Sequence, residues 1–215
     1  MKQQTRLRIA LTLLAAFTLW TAAVCFVDVG AIGPQASTVG FASINRFVHT
    51  LTGVHMVLYT VTDWLSLVPL GFAAGFAVLG LAQWIRRKQL RQVDRSLFVL
   101  GGFYLAVMGA YAFFEAVAVN YRPVLINGVL EGSYPSSTTL LVLCVMPTAV
   151  MQVNERIQSR RLRRCAALTI SAFTVFMVIG RLVSGVHWFT DIIGGALLSA
   201  GLVMLYRFFS GALSQ

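Results

Sequence analysis

Residues Gly180–Asp191, GRLVSGVHWFTD, join two apolar segments, Ala166–Ile179 and Ile192–Phe209, and place Arg181, His187 and Asp191 in the pattern R-x5-H-x3-D. The chain has only three His and seven acidic residues among 215, so this stretch gathers scarce chemistry at the border of two membrane-length runs. Ionisable groups at such a border are costly and are usually functional. His187 and Asp191 are four apart, and on a helix they share a face. Asp191 then accepts one imidazole N–H and fixes the tautomer, leaving the other ring nitrogen free as a nucleophile or base.

Working outward, the rest of the chain reads as membrane. It is 58% hydrophobic and 11% charged, with a mean hydropathy of +0.78. Six segments approach the ~20 residues that a helix needs to cross the hydrocarbon core. We expect an all-α integral membrane bundle with six transmembrane helices at residues 9–29, 64–85, 97–119, 134–153, 166–182 and 190–209. These fill one membrane domain over residues 1–215 and leave no room for a soluble one. Residues 41–62, with Arg46, His49 and His55, read as an amphipathic outer segment. Ile9–Val27 is longer than the apolar core of a signal peptide and reads as a retained first helix. Gly71 and Gly75 form a GxxxG, read as close helix packing.

The net charge of +10 does not indicate nucleic acid. Lys2, Arg6 and Arg8 precede the first span. Arg86, Arg87, Lys88, Arg91 and Arg95 follow the second, Arg156, Arg160, Arg161, Arg163 and Arg164 follow the fourth, and Arg207 ends the sixth. Fourteen of the seventeen basic residues thus share one side, which the positive-inside rule makes cytoplasmic, together with both termini. The exceptions are Arg46, Arg122 and Arg181, on the outer side. Cys25, Cys144 and Cys165 lack CxxC spacing and read as packing residues, so no metal site, disulfide framework or cofactor is expected.

Two further outer stretches belong with the first. Arg122 precedes Pro123, which ends the third span nearby and leaves the guanidinium at the interface. Pro135-Ser136-Ser137-Thr138 reads as a helix start with Pro in the first turn, whose free N–H groups and hydroxyls make a natural anion pocket.

With these stretches in order, the chain resembles the type 2 phosphatidic acid phosphatase family, which shares its site with vanadium haloperoxidases. That family has six spans and three outward motifs, K-x6-R-P, P-S-G-H and S-R-x5-H-x3-D. The resemblance implies that His187 attacks phosphorus to give a phosphohistidine, with Asp191 orienting the ring. It implies that Arg122 and Arg181 clamp the phosphate oxygens and that Ser136, Ser137 and Thr138 complete the cradle. Bidentate guanidinium–phosphate pairing suits that task. The sequence departs from the pattern at four places: Glu115 stands where the family has Lys, Ser137 for Gly, Thr138 for His and Gly180 for Ser. The family's His protonates the leaving alkoxide, and Thr cannot.

Two readings accommodate the missing acid. A diphosphate substrate has a leaving group that needs little protonation, or Glu115 is held neutral and donates the proton. Glu115 also has a structural reading as the ion-pair partner of Arg122 or Arg181. Glu131 reads as solvated, and Asp63 and His55 as helix-end residues. The expected function is metal-independent hydrolysis of a lipid phosphate or diphosphate at the outer face. The alternative is a non-hydrolytic relative that binds or transports lipid phosphates, and a small transporter finds no support because the ionisable residues gather at one face and not at mid-membrane.

Overall fold

The computed structural model describes residues 3–212; Lys2 lies outside them. Eight α-helices occur among the described residues: α1 (Gln3–Phe26), α2 (Ala42–Thr52), α3 (Met56–Leu65), α4 (Leu67–Arg87), α5 (Arg95–Ala116), α6 (Ser137–Arg156), α7 (Arg160–Val183) and α8 (Phe189–Ala212). A small antiparallel pair, β1 (Gly30–Ala31) and β2 (Thr38–Val39), lies in the α1–α2 connection with Gly30 opposite Val39.

Six stretches are long and apolar enough to cross a membrane: Gln3–Phe26, Met56–Arg87, Arg95–Ala116, Ser137–Arg156, Arg160–Val183 and Phe189–Gly211. The all-α six-span bundle expected from the sequence is the fold observed. The second stretch differs most. At 32 residues and 1.5 Å per residue it is about 48 Å long, well beyond the ~30 Å hydrocarbon core. The outer amphipathic segment therefore ends at Thr52, and Met56–Leu65 extends the second span outward, stepping at Ser66 into α4. That extension packs on α7. A Cβ on Gly180 would lie 2.8 Å from the Thr62 methyl, so the close approach of α3 accounts for Gly at that position.

Helix α6 sits at the centre, because both buried clusters draw on it. Leu140 and Cys144 join Phe17 and Val24 of α1, Leu100 and Phe103 of α5, and Leu198 and Tyr206 of α8. Val142 and Met146 on its other side meet Ile170 and Met177 of α7. The outward faces carry exposed apolar side chains such as Leu19, Val78, Leu105 and Val175, as a lipid-facing surface requires. A Cβ on Gly71 or Gly75 would meet nothing within 4 Å, so the GxxxG faces open space among the described residues. Of the cysteines only Cys144 is buried; Cys25 and Cys165 are exposed and do not serve core packing.

The two ends of the bundle differ in chemistry. At one, Arg6 Nη1 donates to the Arg207 carbonyl at 3.0 Å, Arg156 Nη2 lies 3.8 Å from Asp94 Oδ2, and Gln83 and Asp94 exchange hydrogen bonds at 2.8 and 3.0 Å. The basic loops meet there. The opposite end collects His187, Asp191, Arg122 and Arg181.

Candidate functional site

Helix α7 ends at Val183, and four residues later the chain delivers His187. Gly185 makes that turn with φ +70°, and a Cβ there would lie 1.9 Å from the Gly53 carbonyl oxygen. Only glycine combines that dihedral with that approach. The loop is held from α2 and α3: the His55 N–H donates to the Ser184 carbonyl at 3.0 Å, and His49 Nε2 lies 3.2 Å from the Gly185 carbonyl.

His187 precedes α8 rather than riding on it, so a shared helical face is not what unites it with Asp191. Asp191 lies in the first turn of α8 and reaches back: Oδ2 accepts the Trp188 N–H at 2.9 Å, and Oδ1 accepts from Asn120 Nδ2 at 3.4 Å. The carboxylate therefore caps its own helix, as the acidic member of a capping box does. It stands 3.6 Å from His187 Nδ1, whereas the Ser133 carbonyl stands at 3.1 Å. The expected Asp191 hydrogen bond is thus replaced: Nδ1–H donates to Ser133 and Asp191 acts on the ring through charge. Nε2 keeps its lone pair, which Arg122 Nη1 approaches at 3.4 Å. This tautomer is assigned from the hydrogen-bond network. His187 is 3% exposed and Asp191 0%. Burial pushes the imidazole pKa down to about 4, helped by the charges of Arg122 and Arg181 and opposed by Asp191. Near neutral pH the ring is uncharged and its Nε2 is a free base.

Arg122 reaches the site through a hairpin. Asn127 and Gly128 have φ of 51° and 80°, the pair of positive values that primed hairpin turns use. The hairpin returns the chain so that the Arg122 N–H meets the Glu131 carbonyl at 3.0 Å and Arg122 Nε lies 3.0 Å from Glu131 Oε2. Glu131 is therefore an ion-pair partner and not merely solvated. Arg181, 2% exposed, is held by α3: Nη1 donates to Thr62 Oγ1 and Nη2 to Asp63 Oδ1, both at 3.4 Å. Its guanidinium lies 4.9 Å from the centroid of the Tyr59 ring. Asp63, in the last turn of α3 as expected, is also the partner of Arg181. Glu115 pairs with neither arginine, contrary to its structural reading.

Despite these contacts, Arg181 Nε and Ser133 Oγ are buried without a hydrogen-bond partner. Buried polar groups are nearly always satisfied, so two unsatisfied ones on the cavity of His187 call for a ligand with acceptor oxygens. Both residues line a cavity of about 430 Å³ with Arg122, His187, Ser137 and Thr138. Ser137 and Thr138 are the first residues of α6, so their N–H groups have no intrahelical acceptor. Ser136 takes a different role from the expected one. Fully buried, it caps α6 by accepting from the Thr139 hydroxyl at 3.0 Å and its N–H at 3.4 Å, while its own N–H donates to the Asp191 carbonyl at 3.1 Å. It does not line the cavity. Pro135 lies before that cap, outside the helix. Glu115 and Asp63 do line the cavity, and Leu70, Val107, Met108 and Phe114 extend it between α4 and α5.

Sequence reasoning missed Asn120, Ser133, Thr62 and Tyr59. Their signals are local: Asn127-Gly128 between apolar neighbours marks the hairpin that brings Asn120 and Ser133 together, with the Ser133 N–H on the Asn120 carbonyl at 2.8 Å. Among the described residues no group of three His, Cys, Asp or Glu side chains is placed to hold a metal ion.

Comparison with known proteins bears on this geometry. Residues 115–212, which carry all three stretches, match the PAP2 superfamily. Among solved structures, the crystal structure of the first transmembrane PAP2 type phosphatidylglycerolphosphate phosphatase from Bacillus subtilis shares the fold, with a TM-score of 0.56 at 20% identity over 95% of this chain and 96% of that chain. No curated protein matches the chain.

Proposed function

We propose that this chain, with the fold of a PAP2-type membrane bundle, is a metal-independent lipid phosphatase that uses His187 as its nucleophile. The observation that carries the reading is the pair of unsatisfied buried groups, Arg181 Nε and Ser133 Oγ, on the same cavity as His187 and Arg122. A phosphoryl group offers the three acceptor oxygens that such a cradle needs, and guanidinium donors are suited to it. Nε2 attacks phosphorus, Arg122 and Arg181 stabilise the charge on the equatorial oxygens, and Asp191 stabilises the imidazolium that forms. Water then hydrolyses the phosphohistidine.

The lipid part of the reading rests on the apolar wall of the cavity. Leu70, Met108 and Tyr111 both line it and are exposed, so an acyl chain can reach the polar end from the bilayer between α4 and α5. The basic residues that the sequence gathers in the opposite loops support a site on the outer face. Thr138 favours substrates with good leaving groups, lipid diphosphates above monoesters. It also favours the second reading, a binder or transport protein using the same arginines without turnover.

The test is phosphate release by the purified protein from lipid mono- and diphosphates, beside His187→Ala. The enzyme reading expects release from the parent and a loss of at least 10³-fold in the variant. Binding of both lipids with no release from either identifies the binder.

A further inference from the structure

We propose that α3 tunes the phosphate site through Arg181: Thr62 fixes the plane of the guanidinium, and Asp63 is a counter-ion that occupies it while the site is empty and yields it to phosphate. The inference rests on the reading that Arg181 takes a phosphate oxygen. Tyr59, Thr62 and Asp63 stand at i, i+3 and i+4 on α3 and share one helical face. That face meets Arg181 through a cation–π contact of 4.9 Å and two hydrogen bonds of 3.4 Å. Thr62 is fully buried, and its single hydroxyl proton is committed to the Leu58 and Tyr59 carbonyls at 2.9 and 3.0 Å. Its lone pair is left to accept from Arg181 Nη1, while its methyl fills the space beside Gly180. Thr62 is thus a positioning residue that acts through the arginine.

Asp63 stands differently. Its side chain is 55% exposed while that of Arg181 is 2% exposed, so water stabilises the carboxylate whether or not it holds the arginine. A guanidinium takes phosphate most readily along one edge, with two parallel N–H donors on two oxygens. On Arg181 the edge formed by Nε and Nη2 carries Asp63 on Nη2, while Nε is buried without a partner. Both residues line the cavity with His187. Phosphate and carboxylate therefore meet at one edge, and like charges at that range repel. Arg122 has a carboxylate partner too, but Glu131 does not line the cavity. Asp63 is the partner that faces the anion. As inorganic phosphate leaves, the carboxylate re-pairs with Arg181, so the buried guanidinium is not stranded without an opposite charge.

The experiment is calorimetric titration of the purified full chain in detergent with inorganic phosphate, beside initial rates of phosphate release from hexadecyl phosphate and farnesyl diphosphate. Asp63→Asn keeps an acceptor for Nη2 and removes the competing charge, so phosphate should bind about fivefold tighter, the upper range for a pair with one exposed partner. Thr62→Val keeps a methyl beside Gly180 and removes the acceptor, so phosphate should bind at least about tenfold weaker, the loss of one hydrogen bond to a charged group. Thr62→Ser keeps the oxygen, removes the methyl and should restore the parent's affinity. A purely structural role for α3 predicts weaker binding in all three variants, with Thr62→Ser no better than Thr62→Val. Unchanged or weaker binding in Asp63→Asn, or equal losses in the two Thr62 variants, overturns the proposal, as does a parent that binds no phosphate. The expected opposite shifts with no release from either lipid refute the phosphatase reading and leave the counter-ion standing. Release from a lipid by the parent with those shifts absent does the reverse.

Discussion

Replacing Asp191 with Asn tests how the histidine is made a nucleophile. The change keeps size and removes one charge. Asp191 Oδ2 stands 3.6 Å from His187 Nδ1, so at an effective dielectric near 20 the carboxylate and a full imidazolium attract by about 4.6 kcal/mol. If about half of that charge has developed in the transition state, the loss is about 2.3 kcal/mol, or roughly 50-fold in rate. A second effect adds to it. Asp191 opposes the burial that holds the ring's pKa down at about 4, so the variant's Nε2 is a still weaker base. The amide must also face two donors, the Trp188 N–H at 2.9 Å and Asn120 Nδ2 at 3.4 Å, with only one oxygen. We expect a loss of about 10²–10³ in the rate of His187 phosphorylation, read by single-turnover quench-flow, with substrate binding little changed. Because Ser133 and not Asp191 accepts the ring proton, the variant should retain the tautomer and not fall to the level of His187→Ala. A phosphorylation rate within threefold of the parent's would refute the reasoning.

Gly185→Ala should lower kcat by about 10² or more, because a Cβ 1.9 Å from the Gly53 carbonyl forces the loop, and misplacing a nucleophile by 1 Å costs that much; the left-handed dihedral adds about 1–2 kcal/mol to the stability loss seen in detergent unfolding. The pH profile of kcat/KM should show no loss of the nucleophile between pH 7 and 5, since His187 takes its proton only near pH 4; a limb at pH 6.5 that disappears in a His187 variant contradicts this. The sign for stability follows from the same shift: the unfolded chain's imidazole protonates first, near pH 6.5, so His187 lowers stability progressively as pH falls from about 6.5 to about 4, and His187→Gln should flatten that part of the unfolding curve. Thr138→His combined with Glu115→Lys should raise hydrolysis of plain alkyl monophosphates by about 10²-fold or more, as a general acid does, and raise that of diphosphates less, compared by initial rates of phosphate release.

The bundle was legible in the sequence because apolar length and one-sided basic loops are properties of local composition. The third motif was legible because scarce ionisable residues stood at a span border. The partners of those residues were not, since each comes from elsewhere in the chain. Asp63 meets Arg181 across 118 positions, through an α3 extension that an amphipathic pattern disguised as surface. Glu131 meets Arg122 because a two-residue turn folds the loop back, and the Asn-Gly signal for that turn was present but small. His187 and Asp191 were paired for the wrong reason: i, i+4 spacing suggests a helical face, whereas the carboxylate reaches back from α8 to a residue in the preceding loop. Ser136 was drawn into the phosphate cradle by its motif, while the helix it begins uses its hydroxyl as a cap. Gly180 looked like a lost Ser until the Thr62 methyl filled the space beside it.

The central claim, that His187 Nε2 becomes phosphorylated, is tested most directly by quenching the protein during turnover of a phosphorus-labelled lipid phosphate or diphosphate and mapping the label. The account predicts an acid-labile, base-stable phosphoryl group on His187, absent from His187→Ala, which hydrolyses no substrate above background. Label on another residue, or hydrolysis by His187→Ala at the parental rate, would contradict it.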